Sequence, residues 1–341
     1  LAGLRMETGG PWKKRHVQDE AVFFGSLRPM SVYLGFIFIL LTAVFWGMVG
    51  VLARFLLASG MGPEEIAFWR SVLACILFGA VAVATRQQRL RAGKDIFGFM
   101  IFGVVCLACL FLSYTYAVKE GGAALTVVLQ YTAPAWVAVF SRLFFKNRIT
   151  PLMAAAIGIA LAGVACISFS GGAPVEAALG DAADGSGPPA TPGGAESARL
   201  AGILFGLLAG LLESTHYTGT KGYLSRYPVY TLYGYGTLFG ALALLPFVDF
   251  VPKSAGDWAS LSFLGFICTA VAYWAYCEGM KRMDPTKAAV LATLEPCNAT
   301  FAAWLLWDEV FSAMDWVGAV LIIAAVLALV LGSKKEAADG P

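Results

Sequence analysis

Long apolar stretches recur along the chain and limit the folds that it can adopt. Ten of them reach about 20 residues, the length at which an α-helix crosses the hydrocarbon core of a bilayer. A helix satisfies its own backbone hydrogen bonds in hydrocarbon, so the stretches predict an all-α integral membrane protein. The predicted spans are 33–58, 64–85, 96–117, 122–145, 151–170, 201–222, 229–250, 258–280, 287–307 and 312–332.

The composition excludes most other classes of protein. Of the 341 residues, 59% are hydrophobic and 13% are charged, whereas a soluble domain carries about 25% charged residues. A soluble enzyme with so few charges could not cover its surface. A net charge of +2 without a concentrated basic face argues against nucleic-acid binding. The expected partners are the lipid bilayer and a small-molecule substrate.

The distribution of Lys and Arg predicts the orientation of the spans. If the N-terminus lies in the cytoplasm, all but five of the 24 basic residues fall on the cytoplasmic side. This regularity predicts that both termini are cytoplasmic, in what we expect to be a bacterial inner membrane. The five exceptions are Arg54, Arg70, Lys119, Arg199 and Lys253.

One segment divides the spans into two sets of five. Residues 171–199 are rich in Gly, Ala, Pro and Asp, which predicts a disordered extracytoplasmic linker. The predicted organisation is a cytoplasmic segment 1–32, a first five-helix repeat 33–170, the linker, a second repeat 200–332 and a cytoplasmic tail 333–341.

The two halves show internal similarity. Because each half has an odd number of spans, the second is predicted to be inverted in the membrane, and inverted repeats usually bind substrate near the midplane. The matched pairs are Trp46 with Glu213 and Arg54 with Lys221 at an offset of 167, Tyr116 with Tyr276 at 160, and Pro134 with Pro296 at 162.

Residues 288–329 carry the most specific pattern in the chain. Leu294-Glu295-Pro296 lies in the ninth span, Glu309 precedes the tenth, and Gly318 follows nine residues later. This pattern resembles the second repeat of EamA-type transporters in the drug/metabolite transporter superfamily. The first half has a weaker copy in Phe45-Trp46-Gly47, Phe68-Trp69-Arg70 and Pro134.

The resemblance covers about 33–169 and 200–332. It implies a ten-helix transporter that commonly exports small metabolites, amino acids or drugs, with a cavity between the first, third, fourth, sixth, eighth and ninth helices. The chain departs from the family pattern at Asn147, Glu213 and His216, so the family's substrates do not transfer to it.

Ionisable groups in the hydrocarbon mark candidate binding residues, because they are costly there. Glu213 and Glu295 lie near the middle of the sixth and ninth spans and are expected to bind protons or cationic substrate groups. The alternative for each is a structural hydrogen bond between helices. His216 shares a helix face with Glu213 and could share its proton, or could simply bond a backbone carbonyl.

Other candidates follow from residue type and depth. Trp46, in the middle of the first span, could stack on an aromatic or cationic substrate or only pack between helices. Arg54 and Lys221 are predicted gates or snorkelling side chains. Arg70 lies too deep to reach water and needs a partner, and it is predicted as a third gating residue that helps to close the outer mouth. The remaining candidates are Tyr116, Gln130, Tyr131, Tyr217 and Tyr273 for binding, and Pro134 and Pro296 for helix breaks.

These observations predict a secondary active transporter of small metabolites, with amino acids or related amphipathic compounds as the first expectation. The family resemblance implies that it is an exporter, with protons as the coupling ion. A passive facilitator and a lipid flippase stay open as alternatives. No catalytic group, metal site or cofactor motif stands out, and no Walker motif is present. Gly202, Gly206 and Gly210 predict close helix packing, within the fold or in a homodimer.

Overall fold

The computed structural model of the chain describes residues 33–86, 93, 95–146, 149–168, 192–298 and 312–338. Regular structure in these ranges is helical and includes no β-strand. Six of the helices are long and apolar enough to cross a membrane, and the shorter helices Pro151–Ile167 and Ala313–Leu329 are also apolar. The predicted all-α membrane class is confirmed. The count of ten spans stays a prediction, because the ninth span beyond residue 298 lies outside the described ranges.

The helices are labelled here in chain order. Proline occupies the first position of α2, α5 and α9. An N–H at this position has no acceptor within the helix, so the lack of one in proline costs no helical hydrogen bond. The bounds are α1 Tyr33–Ala58, α2 Pro63–Ala84, α3 95–130, α4 Ala133–Phe145, α5 Pro151–Ser168, α6 Pro192–Leu224, α7 Val229–Leu244, α8 Ala255–Met280, α9 Pro285–Ala292 and α10 Ala313–Ala338.

Several helix ends differ from the predicted spans for local reasons. The span predicted to end at 250 leaves the α-helix at Leu244, because Pro246 cannot continue it and a short 3₁₀ turn follows. Helix α8 starts at Ala255 rather than at 258, because Ser254 and Asp257 form a capping box there. Helix α10 continues to Ala338, into the predicted tail.

Helix α6 begins at Pro192, within the segment 171–199 that the composition predicts as a linker. Residues 169–191 lie outside the described ranges, so the predicted disorder there stays a prediction. Composition alone does not locate the start of α6, because its first turns are rich in Gly, Ala and polar residues.

The chain reverses direction near Gly121, although helical hydrogen bonding runs from residue 95 to residue 130. Contacts with α6 show the reversal. As residue numbers rise from Cys106 to Gly121, the contacted residues of α6 fall from Thr215 through Phe205 to Gly202, and the Tyr116 and Phe205 rings stack with centroids 5.0 Å apart. Beyond Gly121 the contacted residues rise again, to Gly206 at Leu129 and Gly210 at Thr132.

The three glycines of α6 are therefore used within the fold. A Cβ atom on Gly210 would lie 2.6 Å from Thr132 Oγ1 and 2.8 Å from the Leu129 carbonyl oxygen. Such distances are too short for any other residue, so the glycines let α6 approach the α3–α4 connection closely. A homodimer through this face stays a prediction that the intramolecular packing does not require.

Helix irregularities recur at related positions in the two halves. Helix α3 contains a π-helical segment at Phe102–Ala108 and α8 contains one at Phe263–Val271. A turn at Tyr131 and Thr132 precedes α4, and a turn at Thr293 and Leu294 follows α9. The first pair of features begins 161 residues apart and the second pair 162 residues apart.

Tyrosine side chains fill the centre of the bundle, and large apolar side chains cover its outside. Tyr233, Tyr273 and Tyr276 are among the largest fully buried side chains. In contrast, Phe144 and Phe247 are each 70% exposed. A surface with large exposed apolar side chains is suited to contact with lipid rather than with water.

Candidate functional site

Two adjoining cavities lie midway along the helices. Their volumes are about 30 Å³ and about 20 Å³, which is room for one or two water molecules each. Both are lined by Trp46, Gln130, Glu213 and Glu295. The main cavity is completed by Val49, Arg70, Leu110, Phe111, Tyr114 and Tyr273, and the second cavity by Tyr131, Ala133, Pro134, Tyr217, Ala289 and Ala292.

Interrupted helices border these cavities. Helix α1 has a turn at Met48, between the lining residues Trp46 and Val49. The π segments of α3 and α8 end close to Leu110 and Tyr273, and π segments of this kind occur frequently at functional sites. Irregular backbone at membrane depth is tolerated where it lines a cavity.

The two helix breaks meet at one hydrogen bond. Tyr131 follows the last residue of α3, and its hydroxyl donates to Glu295 Oε2 at 2.6 Å. The same hydroxyl lies 3.2 Å from the carbonyl oxygen of Ala292, the last residue of α9. Pro134 and Pro296 each stand two to three residues beyond a turn, where the chain re-enters a helix. The breaks therefore bring a carboxylate to the cavity and hold it by a residue of the other half.

Trp46 lies at the junction of both cavities in an aromatic group. Its ring contacts Tyr217, Tyr273 and Tyr276, with centroid distances of 6.4, 5.7 and 5.6 Å. Its Nε1 is buried and has no hydrogen-bond acceptor among the residues that the structure describes. A buried donor left unpaired costs free energy, so this N–H is available to a bound solute.

Glu213 and His216 lie side by side on α6. The distance from Glu213 Oε1 to His216 Nδ1 is 3.6 Å, within ion-pair range but longer than a hydrogen bond. Glu213 faces the cavities, whereas His216 is fully buried behind it. The sequence placed both on one face, and the structure separates their roles: one lines the cavity and the other supports it.

Arg70 lies in the wall of the main cavity rather than at a mouth. Its Nε donates to Thr269 Oγ1 at 2.8 Å, and its guanidinium lies 4.0 Å from the centroid of the Phe111 ring. These contacts supply the partner that a deep arginine requires. The cavity thus combines one guanidinium with the carboxylates of Glu213 and Glu295.

Comparison with known proteins identifies the family of the chain. The sequence profile of the EamA-like transporter family matches residues 33–169 and 200–331. The chain belongs to this family. The uncharacterized inner membrane transporter YicL of Salmonella typhimurium is 23% identical over 315 residues, which cover 90% of this chain and 98% of YicL. The uncharacterized transporter YdfC of Bacillus subtilis is 25% identical over 79% of this chain and 82% of its own.

A solved structure shares the fold. One protein crystal structure aligns with a TM-score of 0.70 at 18% identity, over 90% of this chain and 98% of the other. Together, the EamA-like family and the relatives named as transporters identify the chain as a membrane transporter rather than an enzyme.

Five predicted site residues of this EamA-like chain lie outside the two cavity linings: His216 and Pro296, described above, and Tyr116, Lys221 and Arg54. Tyr116 donates to the carboxylate of Glu64 at the start of α2 and stacks on Phe205. Lys221 donates to the carbonyl oxygens of Met280 and Met283, the latter at 2.9 Å, and so caps the end of α8. Arg54, predicted as a gate, is half-buried farther along α1 and is not part of either lining.

Several residues of the main cavity were missed by the sequence reasoning. Val49, Leu110 and Phe111 are ordinary apolar residues of their spans, so nothing in the sequence distinguishes them. Tyr114 carries a signal, because it is a polar aromatic residue in the middle of an apolar span. It lies four residues beyond Leu110 and therefore on the same face of α3.

Contacts between the two halves of the chain lie at both ends of the bundle. At the end where α1 joins α2, the fully buried Glu65 pairs with Lys253, which precedes α8. The Lys253 ammonium lies 5.5–5.8 Å from the ring centroids of Trp69, Phe250 and Trp258, within cation–π range. At the opposite end, the Tyr227 hydroxyl donates to Asp95 at the start of α3. Each contact joins one half of the chain to the other.

Within the described ranges, no group of three or more His, Cys, Asp and Glu residues is placed to hold a metal ion. The carboxylates of Glu213 and Glu295 share the main cavity with the guanidinium of Arg70, with aromatic rings and with the N–H of Trp46. Such a set suits the binding of an organic solute or of protons.

Proposed function

We propose that the protein is a secondary active transporter of small zwitterionic metabolites, with amino acids as the first class to test, and that it couples their export to protons. The observation that carries the proposal is the main cavity, where Arg70, Glu213 and Glu295 share one small, buried space. Both halves of the chain contribute to it. Groups this costly at membrane depth are typical of substrate and ion sites.

The charge pattern fits an amino-acid-like solute. A guanidinium binds a carboxylate through two parallel hydrogen bonds, so Arg70 is suited to the acidic end of the substrate. Glu213 or Glu295 is suited to the ammonium end. Trp46 adds an unpaired N–H and an aromatic face next to these groups, which favours substrates that carry an apolar side chain.

The same carboxylates supply a route for coupling. A proton and a substrate ammonium group neutralise the same Glu213 or Glu295 charge, so binding of one opposes binding of the other. This competition is sufficient for exchange of proton and substrate across the membrane, and the number of protons follows from how many of the two carboxylates take part. Export is favoured on family grounds.

Repeated structure in the two halves supports alternating access. The paired π segments and paired helix breaks recur at offsets of 161 and 162 residues. Helices α5 and α10 also meet reciprocally, since Gly163 faces Ile322 and Gly318 faces Ile167. We infer that the halves are inverted repeats, which move against each other around a fixed midplane site.

The contacts at both ends correspond to an occluded step of this cycle. The cavities hold no more than one or two water molecules, and a substrate needs more space than that. In the proposed cycle, release of the Glu65–Lys253 contact opens one mouth and release of the Tyr227–Asp95 contact opens the other. With the N-terminus in the cytoplasm, the first of these mouths is the outer one.

The test is efflux from proteoliposomes that contain the purified protein. Vesicles are loaded with a panel of amino acids, matched amines without the carboxylate and matched acids without the ammonium group, with and without an imposed pH gradient. The proposal expects gradient-dependent movement of zwitterions alone. Gradient-independent movement of the same compounds would instead indicate a passive facilitator.

Lipid translocation is a second candidate, favoured by one observation. A groove of about 890 Å³ lies between α4 and α6, with Phe140 and Phe144 on one side and Lys221 and Arg226 on the other. Aromatic walls beside basic side chains suit an anionic lipid. Scrambling of a fluorescent anionic phospholipid in the same vesicles tests this function directly, and its absence rules the candidate out.

A further inference from the structure

A chain of polar groups leads from Glu213 away from the cavity. Behind Glu213 lies His216, whose Nε2 is 2.7 Å from the Tyr233 hydroxyl, and that hydroxyl is 3.0 Å from Thr220 Oγ1. Glu213, His216 and Thr220 recur at intervals of three and four residues on one face of α6. Tyr233 comes from α7 and is fully buried. The sequence reasoning had singled out neither Tyr233 nor Thr220.

The surroundings of His216 isolate this chain from water. Phe102 from α3 and Trp46 from α1 contribute apolar surface around the histidine and its tyrosine neighbours. The titratable groups that face it or its partner are Glu213 on α6, Tyr233 on α7, Tyr273, Tyr276 and Cys277 on α8, and Cys106 on α3 beside Thr215. Among the described residues, Glu213 is the carboxylate within ion-pair distance of His216.

The hydrogen bonds of this chain can run in two orders. A neutral imidazole has one N–H and one lone pair. In the first order, Thr220 donates to Tyr233, Tyr233 donates to His216 Nε2, and the N–H on Nδ1 points at Glu213. In the second, His216 Nε2 donates to Tyr233, and the lone pair on Nδ1 faces Glu213.

The charge of Glu213 decides between the two orders. An ionised carboxylate repels the lone pair and attracts the N–H, which favours the first order. A protonated Glu213 can itself donate to Nδ1, which favours the second. The present gap of 3.6 Å closes to a hydrogen bond if the carboxyl group moves by about 0.7 Å.

We propose that Tyr233 is a positioning residue that lets the tautomer of His216 follow the charge of Glu213, because its hydroxyl can donate to Nε2 in the first order and accept from Nε2 in the second. The protonation of the cavity carboxylate is thereby linked to the hydroxyl pair of Tyr233 and Thr220. This inference rests on the proposed proton coupling for its role in transport, but the positioning itself is measurable without transport.

The decisive experiment is ¹⁵N NMR of histidine-labelled protein in lipid nanodiscs. The chain has two histidines, so the His16→Gln background leaves the His216 signals alone. At a pH where Glu213 is ionised, we expect His216 to be protonated on Nδ1. Glu213→Gln removes the charge, and we expect the proton to move to Nε2, where the resulting N–H donates to the Tyr233 hydroxyl. Tyr233→Phe removes that acceptor, so we expect His216 to stay protonated on Nδ1 even when Tyr233→Phe is combined with Glu213→Gln.

Tyr276→Phe is the matched control. The Tyr276 ring stacks on His216 at 5.2 Å, yet its buried hydroxyl has no hydrogen-bond partner among the described residues. This variant removes a phenolic hydroxyl beside the same histidine, and the tautomer is expected to follow the charge of Glu213 as in the wild type. If Tyr233→Phe does not fold, Thr220→Val removes the other hydroxyl of the pair and is expected to weaken the change of tautomer.

A pH titration of the His216 signals gives the second readout. We expect these signals to change with pH when Glu213 and Tyr233 are both present, and to stay constant in Glu213→Gln and in Tyr233→Phe. The same change of tautomer with and without the Tyr233 hydroxyl, or no change in either protein, would overturn the inference. A Tyr233-dependent tautomer together with pH-insensitive flux in liposomes supports the inference and contradicts the proposed coupling.

Discussion

Tyr131 and Glu295 join the helix breaks of the two halves through a hydrogen bond of 2.6 Å. Tyr131 follows the end of α3 in the first half, and Glu295 follows the turn after α9 in the second half. Any movement of one half against the other changes this distance. The bond therefore connects the position of a cavity carboxylate to the relative position of the halves.

Removal of this bond should weaken substrate binding and leave the fold intact. Tyr131→Phe keeps the ring and takes away one donor to a carboxylate, a contact that contributes about 1.5–3 kcal/mol. We expect a fall in apparent substrate affinity of about 10-fold or more, measured as the substrate concentration that gives half-maximal efflux. Tyr114→Phe is the control, because Tyr114 lines the main cavity without a hydrogen bond to either glutamate. Equal effects of both variants would contradict the role assigned to the Tyr131–Glu295 bond.

Neutralisation of Glu213 should uncouple transport from the pH gradient. Glu213→Gln retains the size of the side chain but cannot exchange a proton, so gradient-driven efflux is expected to fall to background. Exchange of labelled for unlabelled substrate, which needs no net proton movement, is expected to persist if Glu295 still holds the ammonium group. Glu120→Gln serves as control, since Glu120 lies beside Lys119, far from either cavity lining. Normal gradient-driven efflux in Glu213→Gln would remove Glu213 from the mechanism.

The sequence indicated how deep a residue lies in the membrane better than it indicated which side of its helix the residue occupies. Glu213, Glu295, Trp46 and Tyr131 were selected because they are polar or aromatic residues at mid-membrane, and they do line the cavities. Tyr116 was selected by the same reasoning but lies outside them. Two residues along an α-helix correspond to a rotation of about 200°, so Tyr114 faces the cavity while Tyr116 faces Glu64.

Other features depend on contacts between distant segments, which one sequence does not reveal. Arg70 was expected at a mouth because of its position in α2, but Thr269 and Phe111 hold it against the cavity. The π segments have no compositional signal, because each is as apolar as the helix around it. Tyr233 was one aromatic residue among many until α7 packed beside His216.

Arg70 provides a test of the substrate class. Arg70→Lys keeps the charge but loses the planar fork that binds a carboxylate and the contact with Thr269. We expect apparent affinity for an amino acid to fall about 10- to 100-fold, with little change for the matched amine that lacks a carboxylate. Arg54→Lys, on α1 outside both cavity linings, is the control. A parallel loss for both compounds would indicate that Arg70 acts on the fold rather than on the carboxylate.

The Glu65–Lys253 contact should hold its end of the bundle shut. Lys253→Met leaves a fully buried carboxylate without its ion pair, although the Trp69 Nε1 and Val251 N–H groups still lie 3.3 Å from it. Loss of one partner of a buried pair costs about 3–5 kcal/mol. The protein can avoid this cost by opening the mouth, which hydrates Glu65. We therefore expect a cysteine at Val49, in a background without other cysteines, to react faster with a membrane-impermeant thiol reagent.

The double variant separates opening from general loss of stability. In Glu65→Gln with Lys253→Met, no charge is left unpaired, so labelling and melting temperature are both expected to return toward the wild type. Tyr227→Phe breaks the contact with Asp95 at the opposite end and should accelerate labelling of the same cysteine from that side only. Equal labelling from both sides in either single variant would show that the two contacts stabilise the bundle without acting as separate gates.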